Sequence, residues 1–195
     1  MTLQLTRRHF LYGAAACAAL PATAHALTES QARGMVNGLV GEINRVIASG
    51  KSERAMYGDF ERIFKKYADT RTIAAYAMGV DARRASNAQR AAFTEAFTGY
   101  ISRKYGARFR EFRGGQLEVT GVKRVKNYYQ VGTTAYLPGE SPFAVDFHVS
   151  DNNRFFNLYI EGVNMLLTER SEIGAMLDRR RGDIDAMIAD LRKAG

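Results

Sequence analysis

The chain is poor in the residues that build disulfides, metal sites and redox centres. Its 195 residues include one cysteine, three histidines and no tryptophan. A single cysteine excludes a disulfide framework within the chain and a zinc site made of several cysteines. No apolar run reaches the roughly 18 residues that a transmembrane helix needs. Internal repeats are also lacking, and the ordinary globular composition excludes a wholly disordered chain, a collagen and a coiled-coil rod.

Acidic residues are absent from the first 26 residues, where the pattern is typical of an export signal. Arg7 and Arg8 precede a weakly apolar stretch over residues 11–20, and residues 24–26 read Ala-His-Ala. A basic start, an apolar middle and a small-residue cleavage site together form a secretory signal. The paired arginines resemble those of twin-arginine signals. We therefore predict a cleavable signal peptide over residues 1–26 and a location in the bacterial periplasm.

Two alternatives for this signal stay open, a Sec signal with paired arginines and a lipoprotein signal through Cys17. Cleavage would leave residues 27–195 as a single domain with no cysteine and one histidine, His148. A free-thiol nucleophile is then excluded, and any histidine chemistry must use His148. Export also disfavours DNA binding, although the formal net charge of the whole chain is +8 and basic proteins often bind nucleic acid.

Hydrophobic periodicity in the remaining chain changes twice. Apolar residues first recur at helical spacing, with a capping box at residues 86–89 before a stripe of phenylalanines and tyrosines. After Gly114-Gly115 the period becomes two, and it returns to helical spacing near the end. The predicted helices cover about residues 28–49, 52–67, 69–79, 86–112, 168–181 and 183–191, and the predicted strands about residues 117–122, 129–137, 143–149 and 155–163.

This order of elements predicts an α+β fold. Short turns between successive strands favour a curved antiparallel sheet of about four strands, wrapped by helices, with helical N- and C-terminal segments. The aromatic stripe of the long helix is expected to pack against the apolar face of that sheet. Its residues could form a filled core or the wall of an apolar cavity, since both use the same side chains.

Few residues suggest catalysis. Asp146 and His148 lie two positions apart on one predicted strand face, a spacing that would allow acid–base cooperation. No nucleophile or phosphate-loop motif accompanies them, so a solvated polar face is favoured. A carboxylate at Glu161, beside Gly162, could act as a base, but a structural hydrogen-bonding role is favoured.

A basic segment over residues 103–126 carries eight lysines or arginines against two glutamates. Tyr105, Phe109 and Phe112 interleave with these charges, as stacking residues do in proteins that bind nucleic acid. Export argues against that function. An anionic lipid surface, an acidic docking partner and a merely solvated face remain as alternatives.

The C-terminal third resembles the MlaC family of periplasmic lipid-binding proteins, also called toluene-tolerance proteins. The resemblance is carried by residues 158–165, Leu-Tyr-Ile-Glu-Gly-Val-Asn-Met, and by the helix that follows at residues 168–173. The ending from Gly182 fits the family, as does Gln89-Arg90 at the start of the long helix. The likeness covers about residues 32–193. Departures are Asn157 in place of the usual Asp, Asn164 in place of the usual Ser, the missing tryptophan and the twin-arginine signal.

The resemblance implies a cystatin-like or NTF2-like fold and a carrier that moves phospholipid across the periplasm. Its implied partners are an inner-membrane ABC transporter with an MCE-domain subunit and an outer-membrane lipoprotein complex. It implies bound phospholipid as cargo and no cofactor, metal or catalytic residue. The residues expected to line a lipid cavity are Phe97, Ile101, Tyr105, Val131, Phe143, Val145, Phe147, Leu158, Ile160 and Val163. Two rival functions are an NTF2-like enzyme that uses Asp146 and His148, and a docking protein with a filled core and no ligand.

Overall fold

The computed structural model describes residues 27–106 and 112–195. The predicted signal peptide over residues 1–26 lies outside the described residues. So do Arg108, Phe109 and Arg110 from the basic segment, and so does most of the predicted extension of the long helix to Phe112.

The described residues form six α-helices, one 3-10 helix and a five-stranded antiparallel sheet. The α+β class and the curved antiparallel sheet are therefore confirmed. The elements are α1 Glu29–Ala48, α2 Glu53–Tyr67, α3 Thr70–Met78, the 3-10 helix Gly79–Arg83, α4 Asn87–Gly106, β1 Gln116–Val125, β2 Tyr128–Tyr136, β3 Phe143–Ser150, β4 Arg154–Ile160, β5 Val163–Asn164, α5 Met165–Arg179 and α6 Ile184–Leu191.

Helix starts follow local capping chemistry. Before α4, the backbone N–H of Gln89 donates to Ser86 Oγ and the N–H of Ser86 donates to Gln89 Oε1, both at 3.0 Å. The predicted capping box is thus confirmed. Thr28 and Gln31 form the same reciprocal pair before α1. Such pairs satisfy two of the four N–H groups that a helix leaves unbonded at its start.

The sheet is a meander in which each strand pairs with the next along the chain. The segment predicted as one fourth strand is divided into β4 and β5 by a two-residue turn. Glu161 and Gly162 form that turn with φ angles of 50° and 79°, and Ile160 pairs across it with Val163. Two successive positive φ angles are typical of the tight turns that join antiparallel strands.

Helices cover one face of the sheet, which we call its inner face. The helix α1 packs on β1 and β2, whereas α3 and α5 pack on β4. Asn44 fastens α1 to the sheet, because its amide donates to Leu117 O and accepts from Leu117 N, each at 3.0 Å. The helix α4 packs mainly against α2, α3 and α6. This differs from the expected packing of its aromatic stripe on the sheet, because α1 and α5 already occupy much of the inner face.

Candidate functional site

The inner face of the sheet carries rows of apolar side chains from neighbouring strands. In one row, Val131 pairs with Phe147, which pairs in turn with Leu158. Val131 and Phe147 are buried, while Leu158 at the β4 end of the row is half-buried. Because these three predicted residues are paired directly across neighbouring strands, their side chains lie on the same face of the sheet. We call the apolar inner face the sheet wall.

A second row of the sheet wall joins Thr133, Val145 and Ile160. Thr133 is buried, and its hydroxyl donates a hydrogen bond of 2.6 Å to Val145 O. The polar group of this row is therefore satisfied within the protein and offers little to a ligand. Ile160 is half-buried, so access to the row is again greatest at β4.

Aromatic side chains border the sheet wall. Phe143, at the first position of β3, is half-buried and makes an edge-on contact with Phe112 at a ring-centroid distance of 6.3 Å. Val163 lies outside the wall, since 55% of its surface is exposed at the edge of the sheet. The structure therefore brings six of the seven predicted strand residues to the inner face and leaves Val163 at its rim.

The helix α4 presents the other three predicted residues on successive turns. Phe97 is buried and stacks on Phe93 at 5.5 Å, with Tyr100 at 6.2 Å. Ile101 and Tyr105 follow and are half-buried. Burial of the predicted residues thus decreases towards the C-terminal end of α4, as it decreases towards β4 on the sheet wall.

A partly buried ionic cluster joins the end of α4 to α5. Tyr105 Oη donates to Glu169 Oε1 at 2.5 Å, and Lys104 Nζ donates to the same oxygen at 2.8 Å. Lys104 also donates to Glu172 Oε2 at 2.6 Å, as does Tyr100 Oη. Because α5 also packs on β4, this cluster links the C-terminal end of α4 to a helix that contacts the sheet. We call these five residues the Glu169 cluster.

Burial and hydrogen bonding together set the pKa values of Tyr105 and Lys104. Burial raises the pKa of Tyr105, and the neighbouring Glu169 carboxylate raises that pKa further. Burial lowers the pKa of Lys104, but the hydrogen bonds to Glu169 and Glu172 outweigh this effect, so the net pKa is raised. The lysine is therefore charged and the tyrosines are neutral donors throughout the physiological range.

Glu169 is a member of this cluster that was not predicted from the sequence. It is buried, and its Oε2 has no hydrogen-bond partner in the part of the chain that the structure describes. The burial of Glu169 could have been predicted from the helical pattern of α5. Leu166, Ile173 and Leu177 form the buried stripe of this helix, and Glu169 occupies one position of the same stripe. A carboxylate in an apolar helical stripe indicates a buried ionic partner.

A groove of about 1010 Å³ runs between the end of α2, α3 and the N-terminal half of α4. Buried Met78, Phe93 and Thr98 reach into it, and Arg71 and Glu95 stand among its charged lining residues. None of the ten predicted residues lines this groove. It lies on a face of α4 next to the aromatic stripe, so it was not anticipated from the sequence.

Hydroxyl groups along α4 are satisfied by the helix itself. Thr94 donates to Arg90 O at 2.8 Å, Thr98 to Thr94 O at 2.7 Å and Ser102 to Thr98 O at 2.8 Å. These bonds use up the hydroxyl donors that face the groove from this helix. What remains for a ligand in the groove is mostly apolar surface below charged side chains.

Asp146 and His148 lie on the outer face of the sheet, away from the sheet wall. His148 is 9% exposed and stacks between Tyr128 at 4.5 Å and Tyr159 at 4.8 Å. Burial lowers the pKa of His148, and the charge of Asp146 offsets only part of that effect. Glu161 is exposed in its turn. Glu161 is therefore not buried, whereas His148 is surrounded by aromatic rings.

Within residues 27–106 and 112–195, no group of three histidines, cysteines or carboxylates could hold a metal ion. In the same ranges, no helix combines the length and the hydropathy needed to cross a bilayer.

The model of the family described as MlaC protein matches residues 37–193. The chain belongs to the MlaC family. The family resemblance found in the sequence is therefore confirmed, over nearly the same residues. Two of the departures from the family pattern have structural roles: Asn157 Oδ1 accepts from the N–H of Leu158 at 2.8 Å, and Asn164 caps α5 by accepting from the N–H of Leu167 at 3.1 Å.

A solved structure supports the fold of this MlaC-family chain. This chain is similar to a phospholipid-binding protein from Ralstonia solanacearum whose structure was determined in complex with a phospholipid. The two chains share 19% sequence identity with a TM-score of 0.69, and the match covers 82% of this chain and 98% of the other. At this identity the similarity establishes the common fold.

Proposed function

We propose that this MlaC-family chain is a periplasmic phospholipid carrier. The observation that carries the proposal is family membership over residues 37–193, together with a sheet wall of apolar side chains that is only half-buried at β4. The phospholipid bound by the Ralstonia protein of the same fold supports the same conclusion.

A carrier of this kind must replace the environment that a bilayer provides. Each acyl CH₂ group exposed to water costs about 0.8 kcal/mol, so one 16-carbon chain costs roughly 13 kcal/mol. An apolar cavity can offset that cost, while the charged headgroup stays near the surface. The chemistry is binding alone, and we assign no catalytic residue and no cofactor beyond the cargo.

The acyl chains are proposed to lie between the sheet wall and the C-terminal half of α4. Phe97, Val131, Val145 and Phe147 would form the closed end of that cavity. The half-buried Ile101, Tyr105, Phe143, Leu158 and Ile160 would form its open end, with Val163 at the rim. Loading then requires side chains at the open end to separate, which half-buried residues do at lower cost than buried ones.

We propose that lipid passes between an inner-membrane ABC transporter with an MCE-domain subunit and an outer-membrane lipoprotein complex. Both partners follow from the family, as does the periplasmic location. Removal of residues 1–26 as a signal peptide belongs to the same proposal. N-terminal sequencing of protein recovered from the periplasm would test it, and a first residue well away from position 27 would contradict the assignment.

Native mass spectrometry tests the carrier function directly. Protein purified from the periplasm without detergent is weighed intact, and the same sample is extracted with organic solvent to identify lipids. We expect a phospholipid at nearly one per chain. A bare polypeptide that also fails to take up lipid from added vesicles would favour the docking protein with a filled core.

A further inference from the structure

Exposed apolar side chains gather on one side of the molecule around Arg170. Of the large hydrophobic residues exposed in the described structure, four are Val80 at 60%, Val163 at 55%, Leu167 at 52% and Tyr76 at 40%. They come from four different elements: the 3-10 helix, β5, α5 and α3. With Arg170 they are called here the Arg170 patch.

The geometry of Arg170 joins these elements. Its guanidinium lies over the Tyr76 ring at 5.0 Å from the centroid. The same group passes so close to Gly79 that a Cβ added there would stand 3.2 Å from Arg170 Nε. Val80 follows Gly79 directly. Because Gly79 has no side chain, the guanidinium of Arg170 can lie against the backbone at the end of α3. Val80 is therefore exposed beside that guanidinium.

Leu167 and Val163 extend the patch along the start of α5. Leu167 lies one turn before Arg170 on the same helix, so their side chains are neighbours. Val163 belongs to the short edge strand that leads into the helix, and Asn164 caps the first turn between them. The patch is thus built on ordered elements, and exposed apolar side chains gathered around one arginine are a candidate interaction site.

The charge of Arg170 has no counterion on the described part of the chain, where its one recorded partner is the face of Tyr76. A guanidinium stacked on an aromatic ring keeps its N–H groups directed outwards in a plane that suits a carboxylate. Tyrosine and arginine are also two of the residue types that are enriched in protein interface hot spots.

We propose that the Arg170 patch is the docking surface for a protein partner that presents apolar side chains around a carboxylate. A protein fits better than a bilayer because the exposed Glu161 stands beside Val163 at the edge of the patch. Anionic lipid would repel that carboxylate, and its charge cancels the single cation of the patch, whereas polybasic clusters are what hold proteins to anionic membranes. Val163 is also the proposed rim of the lipid cavity, so a partner docked here sits where cargo enters and leaves.

This inference rests on the proposed carrier function for its choice of partner, the MCE domain of the transporter. Affinity between the full carrier and that soluble domain is measured by biolayer interferometry, for the wild type and two variants. Leu167→Asp tests the apolar part; its new carboxylate falls in the first turn of α5, where the helix dipole favours it. Arg170→Glu tests the charge. We expect each to weaken the affinity at least about tenfold.

Two matched controls carry the same changes elsewhere. Tyr136→Asp alters an exposed hydrophobic residue on β2, and Arg192→Glu reverses an exposed arginine after α6. Both are expected to bind within about twofold of the wild type. Circular dichroism and thermal melts of all five proteins verify folding. Equal affinity of the patch variants and the controls would overturn the proposal, and so would a wild type that does not bind the MCE domain.

Vesicles of equal parts phosphatidylethanolamine and phosphatidylglycerol separate a protein site from a membrane site. Sedimentation of the carrier with these vesicles through Leu167 and Arg170, without binding to the MCE domain, would replace the proposal with a membrane-docking surface. Lipid content measured on the same samples distinguishes the two proposals: patch variants are expected to keep their lipid. If the wild type carries no lipid while docking depends on the patch, the carrier function fails and the docking surface stands.

Discussion

Tyr105 and Glu169 share a partly buried hydrogen bond of 2.5 Å that joins the last turns of α4 to the start of α5. Tyr105 is one of the residues proposed to contact lipid, and Glu169 is a side chain that the sequence analysis did not single out. The position of this tyrosine is therefore set by a carboxylate 64 residues away in the chain. Its partner Lys104 completes the arrangement, since it supplies the positive charge that the buried carboxylate requires.

Removing that positive charge is expected to destabilise the fold. In Lys104→Met, the buried Glu169 carboxyl keeps only the Tyr105 hydroxyl as a partner among the described residues. We expect a loss of about 3–5 kcal/mol in the free energy of unfolding, measured by urea denaturation. The double variant Lys104→Met/Glu169→Met is expected to recover part of that loss. Equal stability of the single variant and the wild type would show that Glu169 is compensated in some other way.

His148 is expected to make stability depend on pH. Its pKa is lowered in the folded state, so the unfolded chain binds a proton more readily below the ordinary value of about 6.5. Folded stability should therefore fall as the pH drops from about 7 to about 5. His148→Phe keeps an aromatic ring between Tyr128 and Tyr159 and removes the titration. Urea denaturation of both proteins across this range should give a steeper loss for the wild type, and parallel curves would contradict the prediction.

Glu42 is expected to govern stability at lower pH. The hydrogen bond from Lys66 lowers the pKa of Glu42 to about 2, with burial acting in the opposite direction. This pKa lies below the unfolded value, so the stabilisation is present above about pH 4.5 and is lost as the pH falls towards 2. Since Lys66 and Arg62 are exposed, its size should be about 1 kcal/mol. Glu42→Gln should lose that contribution at pH 7 and show a weaker acid dependence in thermal melts.

The two apolar spaces of the molecule can be told apart by substitution. Ile160→Arg places a charge at the open end of the proposed cavity and is expected to reduce bound phospholipid at least about tenfold, measured by native mass spectrometry. Ala91→Trp, which fills the groove beside α4, is expected to leave lipid content unchanged. Ala144→Arg is the matched charge control, since it is exposed on the outer face of the adjacent strand. Loss of lipid in Ala91→Trp alone would move the cargo site to the groove.

Much of the fold was predictable because its elements carry local signals. The capping box before α4, the change of period after Gly114-Gly115 and the strand alternation gave the element types and the antiparallel order. The division of the last predicted strand was missed, because Glu161 and Gly162 adopt positive φ angles inside a run that otherwise alternates. The strand residues of the candidate site were placed on one face by the same alternation, with Val163 left at the edge by that turn.

Contacts between distant segments could not be read in the same way. The Glu169 cluster, the groove beside α4 and the Arg170 patch each bring together residues from separate helices, and no spacing rule relates those helices to one another. The two halves of the Arg170 patch, for example, lie about 90 residues apart in the chain and meet only because α5 packs on α3.

The sequence by itself determined the α+β class, the order of the elements, the apolar face of the sheet and membership of the MlaC family, because each depends on patterns within short stretches of chain. Tertiary structure alone decided that α4 packs on helices more than on the sheet, that Glu169 is buried beside Lys104, and that Tyr76, Leu167 and Arg170 share one surface. Those facts depend on which helices reach the limited inner face of the sheet. Hydrophobic periodicity shows which positions are buried but does not show which element covers them.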